Sequence, residues 1–329
     1  MKKLSRPVLS AKEIYDGIVS GKILSLSRAI TLIESQKSSD QNKAERLLTQ
    51  LLPLTGNSIR IGITGSPGVG KSTFIEAFGK YLTSLGKKIA VMAIDPSSEK
   101  NKGSILGDKT RMTELATDPR AFIRPSPAQN SLGGVAEKTR EAIMLCEAAG
   151  FDVILVETVG VGQSETAVRN LVDFFLLLQL AGAGDELQGI KKGIMEMADG
   201  VVITKADGEN EKKAKLAQVQ FQHALHLFQP SDADWRPKVL ITSAAQHKGM
   251  AEVWKMIEDY KVHTQQNHFF NKNREQQKLI WFHERMESML RKKIFESGRI
   301  ASKITLMEQK IKQGQLVPSA AAKELLKLV

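Results

Sequence analysis

Ser58-Ile59-Arg60-Ile61-Gly62-Ile63-Thr64-Gly65-Ser66-Pro67-Gly68-Val69-Gly70-Lys71-Ser72 runs from an apolar alternation into a glycine-rich turn. Ile59, Ile61 and Ile63 recur at every second residue, the period of a strand. Gly65 to Ser72 matches G-x-x-x-x-G-K-[ST], the pattern of a phosphate-binding loop. Behind it, Phe74, Ile75, Phe78 and Leu82 recur at helical spacing and predict a helix over 72–85. Strand, glycine loop and helix are the arrangement that phosphate binding needs. Glycines let the backbone curl close to an anion, and the N–H groups at the helix start then face it. Lys71 would reach the β- and γ-phosphates, and the Ser72 hydroxyl would ligate Mg²⁺.

Outward from this loop, residues 58–260 alternate strand-like and helix-like runs. Strands are expected at 59–64, 88–94, 120–124, 152–157, 173–180, 200–204 and 238–242. Helices are expected at 72–85, 109–117, 134–149, 164–171, 190–197, 210–228 and 249–263. The alternation predicts an α/β fold of the P-loop NTPase kind, a mostly parallel sheet flanked by helices. Helical extensions lie on both sides, so the expected division is 1–57, 58–263 and 264–329. In the first, Ser10 and Glu13 form a capping box, and Ile14, Ile18, Ile23, Leu26, Ile30, Ile33, Leu47 and Leu51 give a helical stripe. Gly17, Gly21 and Ser38-Ser39-Asp40 are expected to break it into two or three helices. In the last, a helix expected over 275–296 carries Leu279, Phe282, Met286, Met289, Leu290 and Ile294 close to a heptad seam, a surface for self-association or for packing back on the same chain.

The chain has 329 residues, a net charge of +11 and one cysteine, Cys146. A single cysteine excludes an intrachain disulfide framework and fits a reducing, cytoplasmic compartment. The start has no secretory pattern, and no apolar run is long enough for a membrane span. Residues 261–329 hold 14 Lys/Arg against 6 Glu, so +8 of the charge sits there. Without a nucleic-acid motif that segment reads as a solvated helical face or a surface for an acidic partner, so neither nucleic acid nor membrane is expected. No Cys/His cluster has metal spacing. Cys146 is expected to pack in a helix, and His223 and His226 to lie at the surface.

Ligands of such a sheet sit at the C-terminal ends of its strands, and the polar motifs follow the strands. Asp95-Pro96-Ser97-Ser98 is either a turn or a carboxylate near Mg²⁺. Asp108, in Gly107-Asp108-Lys109-Thr110-Arg111-Met112, caps the following helix or senses the nucleotide, and the two are compatible. Glu157-Thr158-Val159-Gly160 has the spacing of a GTPase switch, a carboxylate for the Mg²⁺ shell and a glycine N–H for the γ-phosphate. Gly182 to Gly193 is a glycine-rich loop. Thr204-Lys205-Ala206-Asp207 is similar to the guanine-reading [NT]-K-x-D. The Asp207 carboxylate would accept from guanine N1–H and the 2-amino group, and adenine has neither donor. Thr204 stands for the commoner Asn. Ser243-Ala244-Ala245 would supply a backbone N–H to guanine O6.

Together these residues resemble the MeaB/ArgK family of GTPases, which takes in the human mitochondrial protein MMAA. The likeness covers nearly the whole chain. It is most specific in Glu157-Thr158-Val159-Gly160-Val161-Gly162-Gln163-Ser164-Glu165 and in Gly182-Ala183-Gly184-Asp185-Glu186-Leu187-Gln188-Gly189-Ile190-Lys191-Lys192-Gly193. The resemblance implies GTP and Mg²⁺ binding, with GTP going to GDP and phosphate. It implies a homodimer through the C-terminal helices, and a client, an adenosylcobalamin-dependent acyl-CoA mutase such as methylmalonyl-CoA mutase, whose cofactor delivery is gated. By the same resemblance Asp95, Asp108 and Glu157 match the metal and switch carboxylates, Gly65 to Thr73 the nucleotide loop, and Lys191 and Lys192 a third switch. No residue stands out as a water-orienting base, so slow, partner-stimulated turnover is expected. The alternatives are a metal-insertion GTPase, an ATP-dependent kinase linked to amino-acid transport, and a scaffold that only binds nucleotide.

Overall fold

A computed structural model describes residues 9–94, 112–124, 132–158, 164–181, 192–229, 231–295 and 298–327. Its strands are β1 Ile59–Gly65, β2 Ile89–Ile94, β3 Ala121–Arg124, β4 Val153–Thr158, β5 Phe174–Leu180, β6 Gly200–Thr204 and β7 Lys238–Ile241. Each lies within one residue of its expected bounds. They form one sheet, ordered β3-β2-β4-β1-β5-β6-β7, with every neighbouring pair parallel.

Parallel neighbours need a crossover, so helices cover both faces and the strands are apolar on both sides. The described helices are α1 Ala11–Val19, α2 Ile23–Glu34, α3 Ser38–Leu51, α4 Lys71–Ser84, α5 Thr113–Ala116, α6 Leu132–Ala148, α7 Ser164–Arg169, α8 Lys192–Met197, α9 Asn210–His226, α10 Met250–Gln266, α11 Phe269–Phe295, α12 Gly298–Lys312 and α13 Pro318–Leu326. Ile154 and Val156 pack with α1–α3 and α6. Val153 and Leu155, one residue out of step, pack with α4, α5 and α10. Val201, Ile203 and Val239 form a third apolar cluster under α8 and α9. Each fully buried aliphatic or aromatic side chain contributes about 1.5–3 kcal/mol. The Cys146 thiol lies inside the first cluster, where burial, helped by the charge of Glu147, pushes its pKa far above the usual range. His223 and His226 are exposed.

The N-terminal helices pack into the first cluster, and Ser10 makes the expected capping box with Glu13. Gly17 differs from its expected role. It lies inside α1, and a Cβ there would come 2.0 Å from Ser25 Oγ. Its missing side chain lets α1 and α2 touch, and the break falls at Gly21, whose φ is 70°. Ser38 to Asp40 begin α3 rather than break it. The expected helix over 109–117 is described only as Thr113–Ala116, with 109–111 outside the described residues. The helix that carries the C-terminal heptad seam, expected over 275–296, starts earlier, at Phe269.

The N-terminal edge of the sheet repeats one device. Asp152, Asp173 and Asp199 each stand one residue before a strand. Their Oδ2 atoms accept the backbone N–H of Lys88, Arg60 and Phe175 at 2.7–2.8 Å. Each of the three also donates its own N–H to the carbonyl of that same residue, at 2.8 Å. The strands are thereby pinned in register before their ladders begin. Asp199 also pairs with Arg169, at 2.6 Å, and Asp173 with Arg274. Arg274 Nε and Nη2 donate to the two Asp173 oxygens at 2.7 Å. Its Nη1 and Nη2 reach Gly56 O and Ser58 O at 2.6 Å, and its Cζ lies 4.5 Å from the Phe270 ring centre.

The chain clusters into two compact units, the first ending at Arg274 and the second starting at Glu275. In the second, Ile300, Met307 and Ala321 are buried, while Leu279, Phe282, Met286, Met289 and Leu290 are exposed. No helix among the described residues is long and apolar enough to cross a membrane.

Arg274→Ala leaves the buried Asp173 carboxylate without its guanidinium. Breaking one side of a buried pair costs about 3–5 kcal/mol. The midpoint of urea unfolding should fall accordingly, and an unchanged midpoint would show that the clamp contributes nothing.

Candidate nucleotide-binding site

The C-terminal ends of β1, β4, β5 and β6 bring the separate motifs together. β1 ends at Gly65, where a Cβ would lie 2.5 Å from Leu178 O of β5. Only glycine lets the loop leave between those strands. Gly70 then takes φ 93°, a left-handed turn that starts α4. The first N–H groups of a helix have no partner within it, so the start of α4 offers donors to an anion. Lys71 Nζ folds back over the loop, 2.8 Å from Gly65 O and 3.3 Å from Ser66 O. Pro67 and Gly68 are exposed at the turn, Val69 is buried below it, and Thr73 is exposed on the first turn of α4.

β4 pairs with both β1 and β2, and its register sets Glu157 beside Ile63 and Ala93. Alternation along the strand turns Glu157 to the α4 side, the side of Leu155. There Ser72 Oγ donates to Glu157 Oε1 at 3.1 Å. A hydroxyl and a carboxylate are hard oxygen donors, and the start of a helix is where phosphate charge gathers, so the pair suits Mg²⁺. Among the described residues no three His, Cys, Asp or Glu side chains cluster as a metal site. Asp95, Asp108 and Gly160 lie outside the described residues, as does the stretch 182–191; of Lys192 only the backbone is described.

The third part comes from β6, two strands from β1. Thr204 Oγ1 lies 2.7 Å from Val69 O of the phosphate loop and 3.2 Å from Gln179 O of β5. Its one proton can serve either carbonyl, and Thr204 is 5% exposed. The threonine thus braces the loop with the group that stands for the commoner Asn. Lys205 Nζ donates to Gly68 O at 2.8 Å. Lys205 holds φ 55°, left-handed for a residue with a Cβ. Such strain costs of order 1–3 kcal/mol and gathers at functional sites. Asn210 Nδ2 holds the Lys205 carbonyl at 2.7 Å, and Ala206 N donates to Thr242 O at 3.0 Å.

The fourth part is the turn after β7. Ser243 Oγ donates to Asp207 Oδ2 at 2.6 Å and accepts from Gln246 N at 3.2 Å. Ser243 is buried, Ala244 half-buried and Ala245 exposed. Asp207, itself half-buried, is therefore aimed by a neighbour 36 residues on. Sequence reasoning assigned Ser243 a backbone role and missed this hydroxyl. It also missed Asn210, although an Asn three residues past Asp207 is a legible turn signal.

A glycine loop at a helix start, a carboxylate and hydroxyl pair, and a Thr204–Asp207 turn braced onto that loop together suit a nucleotide. The sequence model described as "Methylmalonyl Co-A mutase-associated GTPase MeaB" matches residues 26–299. The chain belongs to the MeaB family of GTPases. A probable GTPase of Mycobacterium tuberculosis is 48% identical over 320 residues, spanning 96% of this chain and 95% of that protein. The mouse methylmalonic aciduria type A homolog, mitochondrial, is 44% identical over 328 residues, 95% of this chain and 78% of that protein. A crystal structure of an LAO/AO transport system kinase matches with a TM-score of 0.77 and 36% identity, covering 98% of this chain and 99% of that one. The resemblance read from the motifs and the parallel α/β fold both hold for this MeaB-family chain.

Thr204→Val keeps the shape and removes the hydroxyl beneath Val69. An unmade buried hydrogen bond costs about 1–3 kcal/mol. GDP affinity, read by titration with a fluorescent analogue, should weaken about tenfold, and Thr204→Ser should recover most of it. Unchanged affinity in Thr204→Val would remove the brace from the account.

Proposed function

We propose that this chain binds GTP with Mg²⁺ and hydrolyses it slowly until a partner protein speeds the reaction. The partner is an adenosylcobalamin-dependent acyl-CoA mutase, of which methylmalonyl-CoA mutase is the type named by the family description. GTP hydrolysis gates delivery of the cofactor to that mutase and protects it. The observation that carries the reading is the bracing of the phosphate loop by Thr204 and Lys205, on the same turn that presents Asp207.

The residues divide the work. Gly65 to Thr73 wrap the phosphates. Lys71 leaves the loop carbonyls to meet charge developing on the γ-phosphate. Ser72 would hold Mg²⁺ directly and Glu157, with Asp95 and Asp108, through its shell. When bound, the ion neutralises charge on the β- and γ-phosphates. The Lys205 stem packs over the base, Asp207 accepts its N1–H and 2-amino group, and Ser243-Ala244-Ala245 meet O6. Gly160 offers an N–H to the γ-phosphate, and the loops at 95–112, 157–165 and 181–193 carry the nucleotide state to the mutase.

The exposed Leu279, Phe282, Met286, Met289 and Leu290 on α11 support a homodimer built by residues 264–329. A cytoplasmic location fits the single buried thiol. A second reading, an ATP-dependent transport-system kinase, draws on the name of the solved relative. The Asp207–Ser243 pair favours guanine over it, because adenine brings no donor to that carboxylate.

Multiple-turnover GTP hydrolysis should rise at least about tenfold, ~1.4 kcal/mol off the barrier, when the mutase encoded by the same organism is added. Equal rates with and without it would remove the partner-gated mechanism.

A further inference from the structure

One buried polar contact at the site has no part in the mechanism above. Thr158 Oγ1 donates to Thr64 Oγ1 at 2.9 Å. Both are buried, at 0% and 1% exposed. Thr64 is the residue before Gly65, and Thr158 is the residue after Glu157. The paired register of β1 and β4 ends at Ile63 and Glu157. The hydroxyl bond therefore adds one rung beyond that register, at the point where the ladder between β1 and β4 ends. On its other side Thr158 is still paired, with Ile94 of β2.

Strand alternation sets the two bonds at this end on opposite faces. Glu157 points to the α4 side and meets Ser72 there at 3.1 Å. Thr158 follows Val156 to the other face, the side of the cluster that holds Val168 and Phe175. The end of β4 is thus tied to the phosphate-loop strand behind and to the phosphate-loop helix in front. A hydroxyl pair in an apolar surrounding is costly to leave unmade. The tie resists a shift of the Glu157 backbone.

We propose that Thr158 and Thr64 are positioning residues for hydrolysis: their hydroxyl bond fixes Glu157 against the phosphate loop. This rests on reading the site as a GTPase. The phosphate loop itself is held from β6, by Thr204 and Lys205. Nucleotide affinity and carboxylate placement therefore depend on different contacts. Losing the hydroxyl bond should lower kcat and leave GTP binding in place. A displacement of about 1 Å at a reacting centre costs up to ~100-fold in rate.

The test uses the full chain as wild type and as Thr158→Val, Thr64→Val, the double Val variant and Thr158→Ser. Steady-state GTP hydrolysis, GDP titration and thermal midpoint are read for each. Either single Val variant should lower kcat by about tenfold or more, with KM and GDP affinity within about twofold. Thr158→Ser should restore the rate. In the double variant both partners are apolar, so the thermal midpoint should recover relative to the single variants while kcat stays low. If Thr158→Val does not fold, Thr158→Ala removes the hydroxyl without the added methyl group. Unchanged kcat in the single variants overturns the proposal. So does a double variant whose rate recovers together with its stability, or a loss of rate and affinity in equal proportion. A wild-type chain that binds GTP without turning it over overturns the GTPase reading itself, and the proposal with it. Turnover in wild type with unaffected variants overturns the proposal alone.

Discussion

Seven strands run in one direction, and that constraint orders the rest of the molecule. It puts every strand's C-terminus at one edge and every N-terminus at the other. Backbone groups at both edges lose their ladder partners and have to find others. At the N-terminal edge three aspartates, each one residue before a strand, take that role, and Arg274 and Arg169 neutralise two of them. At the C-terminal edge the carbonyls of Gly65, Ser66, Gly68 and Val69 are met by Lys71, Lys205 and Thr204. The first edge is closed and structural. The second is held by side chains from the phosphate loop's own helix and from the end of β6.

That difference explains how one sheet serves both stability and chemistry. Lys71 rests on its own loop, and Lys205 spans from β6 to Gly68 in a strained backbone conformation. The strain is bounded by Asn210 and by the Ala206–Thr242 bond, so the turn keeps its shape while its lysine end stays exposed. Asp207 is fixed from a different strand by Ser243. The phosphate loop and the Thr204–Asp207 turn form one braced unit.

The sheet was legible because parallel strands buried on both faces read as continuous apolar runs, as in Val153-Ile154-Leu155-Val156 and Phe174-Phe175-Leu176-Leu177-Leu178. Among the described residues, Gly65 to Ser72, Glu157, Thr204 to Asp207 and Ser243 stood out in the sequence because each lies at the end of such a run. Contacts between residues far apart in the chain were not. Arg274 meets Asp173 across 101 residues, and nothing near either names the other. Gly17 reads as a helix breaker from its type alone, and only the 2.0 Å approach to Ser25 shows why a glycine stands inside α1. The Asp152, Asp173 and Asp199 pattern was within reach, since an Asp before each of three apolar runs is a repeated local signal. Thr204 looked like a departure from Asn, and its hydroxyl shows that a shorter donor does the same bracing here.

The guanine site we propose turns on Asp207, held by Ser243 on the turn whose Thr204 and Lys205 brace the phosphate loop. The direct measurement is a pair of equilibrium titrations of the full chain with GTP and with ATP, each with Mg²⁺, using hydrolysis-resistant analogues. Adenine leaves the Asp207 carboxylate facing an acceptor, so GTP should bind roughly 100-fold more tightly or better. Affinities equal within about threefold, which is under ~0.7 kcal/mol, would contradict the account.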